Sequence, residues 1–174
     1  HPDIGVDIQM GSVQEVYRWV QEGRVDMCFA SRQESVALDW TPLKDDELFA
    51  ILPPDYDNGG RDVFPVADFA GKEFLMPSMG FNLDIMRVLN RHGVLPLIRT
   101  TQVSDSVIIS MVEHGLGVSM LSRLVLQGRQ DDVQALPLAP RAVRALGIAS
   151  RPRKELRPAV RRFIAEAREM IEKM

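Results

Sequence analysis

The sequence predicts an α/β protein built around two similar strand–helix–strand segments. Residues 4–10 alternate apolar and polar side chains, and a helical pattern and a short apolar run follow them, which is the order of a βαβ unit. Residues 102–123 repeat that order when they are laid over residues 10–31. The chain ends in an amphipathic helical pattern whose apolar stripe runs from Leu156 to Ile171. These three observations together predict a fold of mixed strands and helices.

Composition narrows the class of protein. The chain has 174 residues, a formal net charge of −3, 45% hydrophobic residues and one cysteine. Such values are typical of an ordinary globular domain and exclude collagen-like and coiled-coil proteins. A single cysteine cannot form an internal disulfide, and no Cys/His cluster has the spacing of zinc ligands. No apolar run approaches the roughly 18 residues that a membrane span needs, and the slight acidity argues against non-specific nucleic-acid binding by these residues.

The first segment is predicted in detail by local signals. Residues 4–10 are expected to form a strand. Ser12 is a predicted helix N-cap, with Glu15 at the spacing of a capping box, and Gly23 is a natural residue for the helix end. A short buried strand is then expected over residues 25–30.

The rest of the chain is predicted to continue with strands and helices. Strands are expected at residues 38–43 and 48–52, with a charged turn at 44–47 between them, and residues 53–61 form the clearest loop. The remaining predicted elements are strand 74–76, helix 81–92, strand 97–103, helix 104–114, strand 116–121, strand 145–149 and the C-terminal helix.

The repeated segments also predict where a ligand would bind. In parallel α/β sheets, ligands bind beyond the carboxyl ends of the strands. Helix N-termini at that edge offer N–H groups and a partial positive charge to anions. If two such lobes face each other, the turns at residues 11–13 and 103–105 converge on one cleft. The pattern therefore predicts a site for a small anion or polar acid.

Two stretches resemble the effector-binding domain of LysR-type transcriptional regulators. Residues 23–30, which read Gly-Arg-Val-Asp-Met-Cys-Phe-Ala, resemble the "G-x-x-D-hydrophobic" strand of that family. Residues 111–121 are similar to its "V-x-x-G-x-G-hydrophobic" signature. Ser122 departs from the pattern, because the family usually has proline there; the departure affects a turn only.

The resemblance implies a two-lobed fold similar to that of type 2 periplasmic binding proteins, truncated at the N-terminus. It divides the chain into lobe I, residues 1–51 and 143–174, and lobe II, residues 52–142. The chain would cross between the lobes near Leu52 and Val143, and these crossings would form a hinge. A winged helix-turn-helix, a linker helix and the first strand and helix of lobe I are expected to precede His1, so DNA binding would depend on that preceding part.

By the same resemblance, the effector contacts lie at the ends of predicted strands or in the turns that follow them. Among them, Met79 and Phe81 would form an apolar wall, which indicates an effector with an apolar body as well as an acid group. The expected contacts are Ser12, Val13, Ser31 and Arg32 in lobe I, and Ser78, Met79, Phe81, Val103 and Ser104 in lobe II.

Three of these residues also have a purely structural interpretation. Ser12 and Ser104 are expected to be N-caps, whether or not they also touch an effector. Arg32 either clamps a carboxylate or is a solvated loop residue.

Other polar residues have competing interpretations as well. Cys28 is expected to be a buried core thiol rather than a redox sensor. His92 and His114 are expected to cap helix carbonyls rather than to bind a metal. Residues 151–168 carry seven basic side chains against two acidic ones. They form either a solvated helix face or a surface that contacts the DNA-binding part or DNA.

The sequence therefore predicts the effector-sensing domain of a LysR-type transcription regulator, which binds a small anionic metabolite in an inter-lobe cleft and so modulates DNA binding. The expected partners are that effector and further copies of the chain, as a homodimer or homotetramer. By resemblance, the subunits would pair head to tail through residues 4–10, 81–92 and 97–103. Neither a cofactor, a metal nor a membrane is expected, and the expected location is the cytoplasm.

Two other classes of function compete with this prediction. A solute-binding protein of a transport system would have the same fold, and it is the main alternative. An enzyme is not expected, because the sequence has no Ser/His/Asp or Cys/His set at plausible spacing.

Overall fold

The computed structural model describes residues 4–33, 36–77, 82–100, 103–129 and 131–173. Helices and strands are mixed along these ranges, which confirms the predicted α/β class. None of the described helices is long and apolar enough to cross a membrane. The helices are α1 (Val13–Gln21), α2 (Asn82–Arg91), α3 (Asp105–Glu113) and α4 (Pro158–Glu172). The strands are β1 (Met27–Ser31), β2 (Asp39–Leu52), β3 (Phe64–Pro65), β4 (Glu73–Met76), β5 (Leu97–Thr100), β6 (Ser119–Ser122), β7 (Gln134–Ala139) and β8 (Val143–Ser150).

The chain divides into two compact units. Unit 1 comprises His1–Asp45 and Ala145–Met174, and unit 2 comprises Asp46–Arg144. The chain passes from one unit to the other twice, once within β2 and once within β8.

Unit 1 is built on β1 and β8. These strands pair antiparallel, from Met27 opposite Ser150 to Ser31 opposite Leu146, and β8 also neighbours β2. Helix α1 packs on β1, and its buried residues Val13, Tyr17 and Val20 recur at the spacing of one helix face.

The prediction that residues 4–10 form a strand is wrong. These residues are exposed and make no β-ladder with any strand in the described ranges. An alternating pattern decides which side each residue faces, but a strand also needs a neighbouring backbone for its N–H and C=O groups. Among the described strands, β1 pairs with β8 alone, so its second edge is open. Of the predicted βαβ unit, the structure therefore contains the helix, α1, and the second strand, β1, but not the first strand.

The charged turn predicted at residues 44–47 is also wrong, because β2 runs through it as one strand of 14 residues. Four consecutive charged residues predicted a solvated turn. Asp46, however, is buried and forms an ion pair with Arg144, so its charge is compensated within the fold and the strand continues.

Unit 2 contains two sheet segments. The second half of β2 pairs antiparallel with β6 and with β7, and β3 runs parallel to β7. β4 and β5 pair parallel to each other, and Val118 forms a parallel bridge to Phe74 of β4. The sequence did not predict β7, since it contains Pro137, and proline usually marks a loop or an edge strand.

Several predicted boundaries in unit 2 move by a few residues. β5 ends at Thr100, and Val103 lies in a bend. β6 begins at Ser119 instead of residue 116, because Leu116 lies in the turn that closes α3, where its N–H donates to the carbonyl of Met111. The predicted histidine caps are confirmed: Nδ1 of His92 lies 2.8 Å from the Val88 carbonyl oxygen, and Nδ1 of His114 lies 2.8 Å from that of Ser110.

A row of aromatic rings fills the core of unit 2. The ring centroids of Phe64 and Phe69 are 4.7 Å apart, and those of Phe69 and Phe74 are 5.3 Å apart. All three side chains are fully buried, and burial of each contributes about 1.5–3 kcal/mol to folding.

The C-terminal helix has the predicted amphipathic form. Val160 is buried and the apolar stripe that follows it is half-buried, while Leu156 is buried just ahead of the helix start at Pro158. The charged face carries ion pairs between residues four apart, which supports its interpretation as a solvated helix face. These pairs are Arg162–Glu166, Arg168–Glu172 and Lys173–Glu169.

Candidate functional site

The start of α1 carries the first two predicted contact residues, Ser12 and Val13. Ser12 is the N-cap and forms the predicted capping box. Its Oγ donates to Oε2 of Glu15 at 2.7 Å and accepts from the Glu15 N–H at 3.4 Å, and its own N–H donates to the same Oε2 at 2.9 Å. Val13 is buried on the packed face of the helix. The Ser12 hydroxyl is therefore already engaged within the helix.

Glu15 changes the electrostatics of this helix end. The hydrogen bonds from Ser12 lower the pKa of the Glu15 carboxyl below its usual value, so the carboxylate stays ionised at neutral pH. A negative charge at a helix N-terminus is favourable for the helix, but it opposes a second anion there. An acidic effector would therefore need a cation from elsewhere in the site.

Ser31, at the carboxyl end of β1, is the most informative of the predicted contacts. The residue is 3% exposed, and its Oγ has no hydrogen-bond partner among the described residues. Buried hydroxyls nearly always have a partner, so this oxygen keeps a hydrogen-bonding capacity that the described residues do not use. The next residue, Arg32, is exposed and places a positively charged side chain at the same strand end.

Tyr17 holds the backbone at this strand end; its helical spacing predicts a place on the apolar face of α1 but not this role of its hydroxyl. Its buried hydroxyl donates to the carbonyl of Ser31 at 3.0 Å and accepts from the N–H of Gln33 at 3.2 Å. Between them, the N–H of Arg32 donates to the carbonyl of Ala145 at 2.9 Å. The last residue of β1 and the two residues after it are thus hydrogen-bonded to α1 and β8.

The predicted contacts in unit 2 are less well supported. Ser104 is the N-cap residue of α3, as predicted, but its side chain makes no capping hydrogen bond. The exposed hydroxyl lies 2.9 Å from Oγ of Ser106 instead. Val103 is partly buried and packs against the core. Ser78, Met79 and Phe81 lie outside the described residues.

A buried polar cluster in unit 2 joins residues that no local pattern connected. Nε and Nη2 of Arg144 donate to Oδ2 of Asp46 at 2.9 and 2.7 Å. Nη2 also donates to Oγ of Ser122 at 3.1 Å, and Oδ1 of Asp46 accepts the N–H of Leu124 at 3.1 Å. Burial raises the pKa of Asp105 at the start of α3, and the charge of Arg144 opposes that rise. The cluster thus mixes one cation with two carboxylates.

A cavity of about 750 Å³ lies in unit 1, and none of the predicted contacts of that unit (Ser12, Val13, Ser31 and Arg32) lines it. Residues 4–9, β1, α1 and the start of α4 line it. Phe29, which is 55% exposed, meets Phe163 edge-on there with ring centroids 6.4 Å apart. Asp26 and Arg157 form an ion pair of 2.6 Å in its wall. The cavity therefore follows the open edge of β1, and its walls are mostly apolar.

The described residues contain no group of three or more His, Cys, Asp or Glu side chains that could hold a metal ion. Cys28 is buried, and burial raises its pKa to about 11, which confirms the core-thiol interpretation.

Comparison with known proteins identifies the domain. Residues 1–172 match the family model of the LysR substrate binding domain. The malonate utilization transcriptional regulator of Klebsiella pneumoniae is 27% identical over 145 residues, which cover 79% of this chain and 47% of that protein. The HTH-type transcriptional regulator YybE of Bacillus subtilis, itself uncharacterized, is 22% identical over 166 residues, which cover 94% of this chain and 57% of that protein. The chain spans about half the length of such curated relatives.

Solved structures share the fold. The regulatory domain of CcmR from Synechocystis PCC6803, in complex with 2-PG, superposes with a TM-score of 0.86 at 22% identity, covering 100% of this chain and 86% of that one. The effector binding domain of QuiR, in complex with shikimate, gives 0.80 at 18% identity, covering 94% and 79%. These likenesses confirm the expected type 2 periplasmic-binding-like fold. With the family match over nearly its whole length, the chain belongs to the LysR substrate-binding domain family.

Proposed function

We propose that this chain is the effector-binding domain of a LysR-type transcriptional regulator and that its effector is a small anionic metabolite. The lobes are residues 1–51 with 143–174 and residues 52–142, and the effector binds in the cleft between them. Its binding shifts the balance between conformations of the domain. A helix-turn-helix outside these residues, acting in the cytoplasm, makes the DNA contacts. The relatives are transcriptional regulators, which favours this function over solute transport.

The observation that carries the effector site is the buried hydroxyl of Ser31, which has no hydrogen-bond partner among the described residues. A buried hydroxyl without a partner costs about 1–3 kcal/mol, and an effector that hydrogen-bonds to it recovers that free energy. Arg32, the next residue, provides the cation that a carboxylate or phosphate needs. The site therefore favours an anion with hydrogen-bonding groups over an apolar ligand.

The structural neighbours indicate the size of such an effector. The CcmR domain was solved in complex with 2-PG and the QuiR domain in complex with shikimate. For this chain we propose only that the effector is, like these ligands, a small polar molecule. The remaining contacts, Ser12, Val13, Ser78, Met79, Phe81, Val103 and Ser104, stay predictions.

The test is a thermal-shift and calorimetry screen of small carboxylic acids and phosphate esters that includes 2-PG, shikimate and inorganic phosphate. We expect one or more of these acids to raise the Tm of the wild type. Ser31→Ala should leave the Tm of the free protein unchanged or higher, because it removes an unpaired buried hydroxyl, and yet weaken binding about tenfold. Arg32→Gln should weaken binding at least as much.

Arg161→Gln is the matched control, since it removes an exposed cation from α4. The affinity of Arg161→Gln for each acid that binds should equal that of the wild type. Equal affinity in Ser31→Ala and Arg32→Gln as well would overturn the proposed site. A screen in which no acid binds the wild type would contradict the proposal of a small anionic effector.

We also propose that the chain assembles as a homodimer or homotetramer, with residues 4–10, 81–92 and 97–103 at the interface. Exposed apolar side chains near β5 support this proposal: Leu95 is 80% exposed, Leu97 55% and Ile98 42%. Large apolar side chains that are left exposed can mark a protein–protein contact. Analytical ultracentrifugation should show self-association that Leu97→Asp weakens, and a strict monomer at high concentration would contradict it.

A further inference from the structure

Tyr17 lies on the buried face of α1, between the helix and the end of β1. It follows Val13 by one turn and precedes Val20 by another, so the helical period directs all three side chains toward β1. The tyrosine is 4% exposed. Its ring fills space in the core, and its hydroxyl reaches the chain that leaves β1.

The Tyr17 hydroxyl donates one hydrogen bond and accepts another. A phenol group can donate one and accept another. Here the Tyr17 hydroxyl donates to the carbonyl of Ser31 and accepts from the N–H of Gln33, at 3.0 and 3.2 Å. The amide side chain of Gln33 adds a longer contact of 3.4 Å to the same carbonyl. One oxygen atom thus bridges the peptide groups on either side of Arg32.

The opposite side of this segment is held by β8. The N–H of Arg32 donates to the carbonyl of Ala145 at 2.9 Å. Residues 31–33 are therefore fixed from α1 on one side and from β8 on the other. A segment that is fixed before binding loses less conformational entropy when a ligand arrives.

We propose that Tyr17 is a positioning residue for effector binding, whose hydroxyl holds residues 31–33 so that the Ser31 hydroxyl and the Arg32 guanidinium are ready to meet the effector. This inference rests on the proposed function, because it assigns Tyr17 a role in that same site. Tyr17 itself acts through the backbone of its neighbours. Its replacement by phenylalanine removes both hydrogen bonds and keeps the ring.

A first experiment needs no ligand. Trypsin can cut after Arg32 only when residues 31–33 leave their hydrogen bonds, and the amide of Gln33 exchanges with solvent under the same condition. In Tyr17→Phe, we expect cleavage at the Arg32–Gln33 bond and exchange of the Gln33 amide to be about fivefold faster than in the wild type. Unchanged rates would overturn the inference.

Two variants separate positioning from general stability. Tyr56→Phe makes the same chemical change in unit 2, where the ring packs near Phe64, and should leave both rates at wild-type values. Val20→Ala removes buried volume from the same face of α1. It should lower the Tm more than Tyr17→Phe does, yet leave affinity unchanged, since it breaks no hydrogen bond to residues 31–33.

A second experiment measures binding of the screened acids, with inorganic phosphate as the reference anion. We expect the Kd of each acid that binds the wild type to rise about fivefold in Tyr17→Phe. If the wild type binds and Tyr17→Phe binds as tightly, the positioning role is overturned while the proposed function stands. If the wild type binds none of the acids, the proposed function fails and with it the role of Tyr17 in binding; the cleavage rates still decide whether Tyr17 holds the segment.

Discussion

Arg144 and Asp46 form a buried ion pair that ties together the two ends of unit 2. Nε and Nη2 of Arg144 both donate to Oδ2 of Asp46, whose side chain is 1% exposed. Asp46 is the first residue of this unit and Arg144 the last. The segments by which the chain enters and leaves unit 2 are thus held by one pair of charges.

Breaking this pair should be costly. We expect Asp46→Ala to lower the free energy of unfolding by about 3–5 kcal/mol, because it leaves the Arg144 guanidinium in a buried position without its carboxylate. Urea denaturation measures the loss. The double variant Asp46→Leu/Arg144→Met should lose less unfolding free energy than Asp46→Leu and Arg144→Met lose together, since it leaves neither charge buried without its partner.

The neighbouring pair of Arg141 and Glu47 is the matched control. It has a similar Nε–Oε1 distance of 2.8 Å, but the Arg141 side chain is 69% exposed. Arg141→Ala should therefore cost no more than about 1 kcal/mol. An equal loss in Asp46→Ala and Arg141→Ala would show that burial does not set the strength of the first pair.

Asp105 should make the stability of unit 2 depend on pH. Burial raises its pKa in the folded protein above the ordinary value of 3.8, against the opposing charge of Arg144. The folded state therefore binds this proton more tightly than the unfolded state, and stability falls as the pH rises through the interval between the two values. At pH 7 the ionised Asp105 carboxylate therefore lowers the free energy of unfolding.

Asp105→Asn should accordingly be more stable than the wild type at pH 7, and the difference should disappear below the ordinary pKa of an aspartate, at about pH 3. Urea denaturation at the two pH values measures it. Asp55→Asn, which removes an exposed carboxylate from the same unit, is the control. A less stable Asp105→Asn variant at pH 7 would contradict the assigned effect of burial.

Cys28 should be a slow nucleophile. Burial raises its pKa to about 11, from an ordinary value of 9.0. Because only the thiolate reacts, we expect modification by Ellman's reagent at pH 8 to be about 100-fold slower in the folded protein than in urea. A folded-state rate close to the rate in urea would show that burial neither shields this thiol nor raises its pKa.

Gly117 should tolerate no side chain. A Cβ atom at this position would lie 2.6 Å from the carbonyl oxygen of Glu73, which already accepts the N–H of Val118 at 2.8 Å. Gly117→Ala must therefore push β4 away from the segment that follows α3. Its cost should exceed that of Gly115→Ala, where the left-handed backbone costs about 1–2 kcal/mol but the space is open. Equal losses in urea denaturation would count against the close approach.

The sequence by itself determined what depends on nearby residues. The capping box of Ser12 and Glu15 and the carbonyl caps of His92 and His114 each join residues three or four positions apart, so their patterns were readable without the fold. Helical periodicity likewise placed α1 and α4. The family followed from motifs that sit in such local elements.

Only the tertiary structure decided what depends on distant partners. Residues 4–10 have the pattern of a strand but no backbone to pair with in the described chain, and β2 crosses a charged stretch because Arg144 meets Asp46 from the far end of the unit. At the candidate site, the sequence named Ser31 but not Tyr17, which lies 14 positions away and meets it only because α1 packs on β1. Burial and pairing of polar groups are properties of the assembled fold, and a local pattern does not contain them.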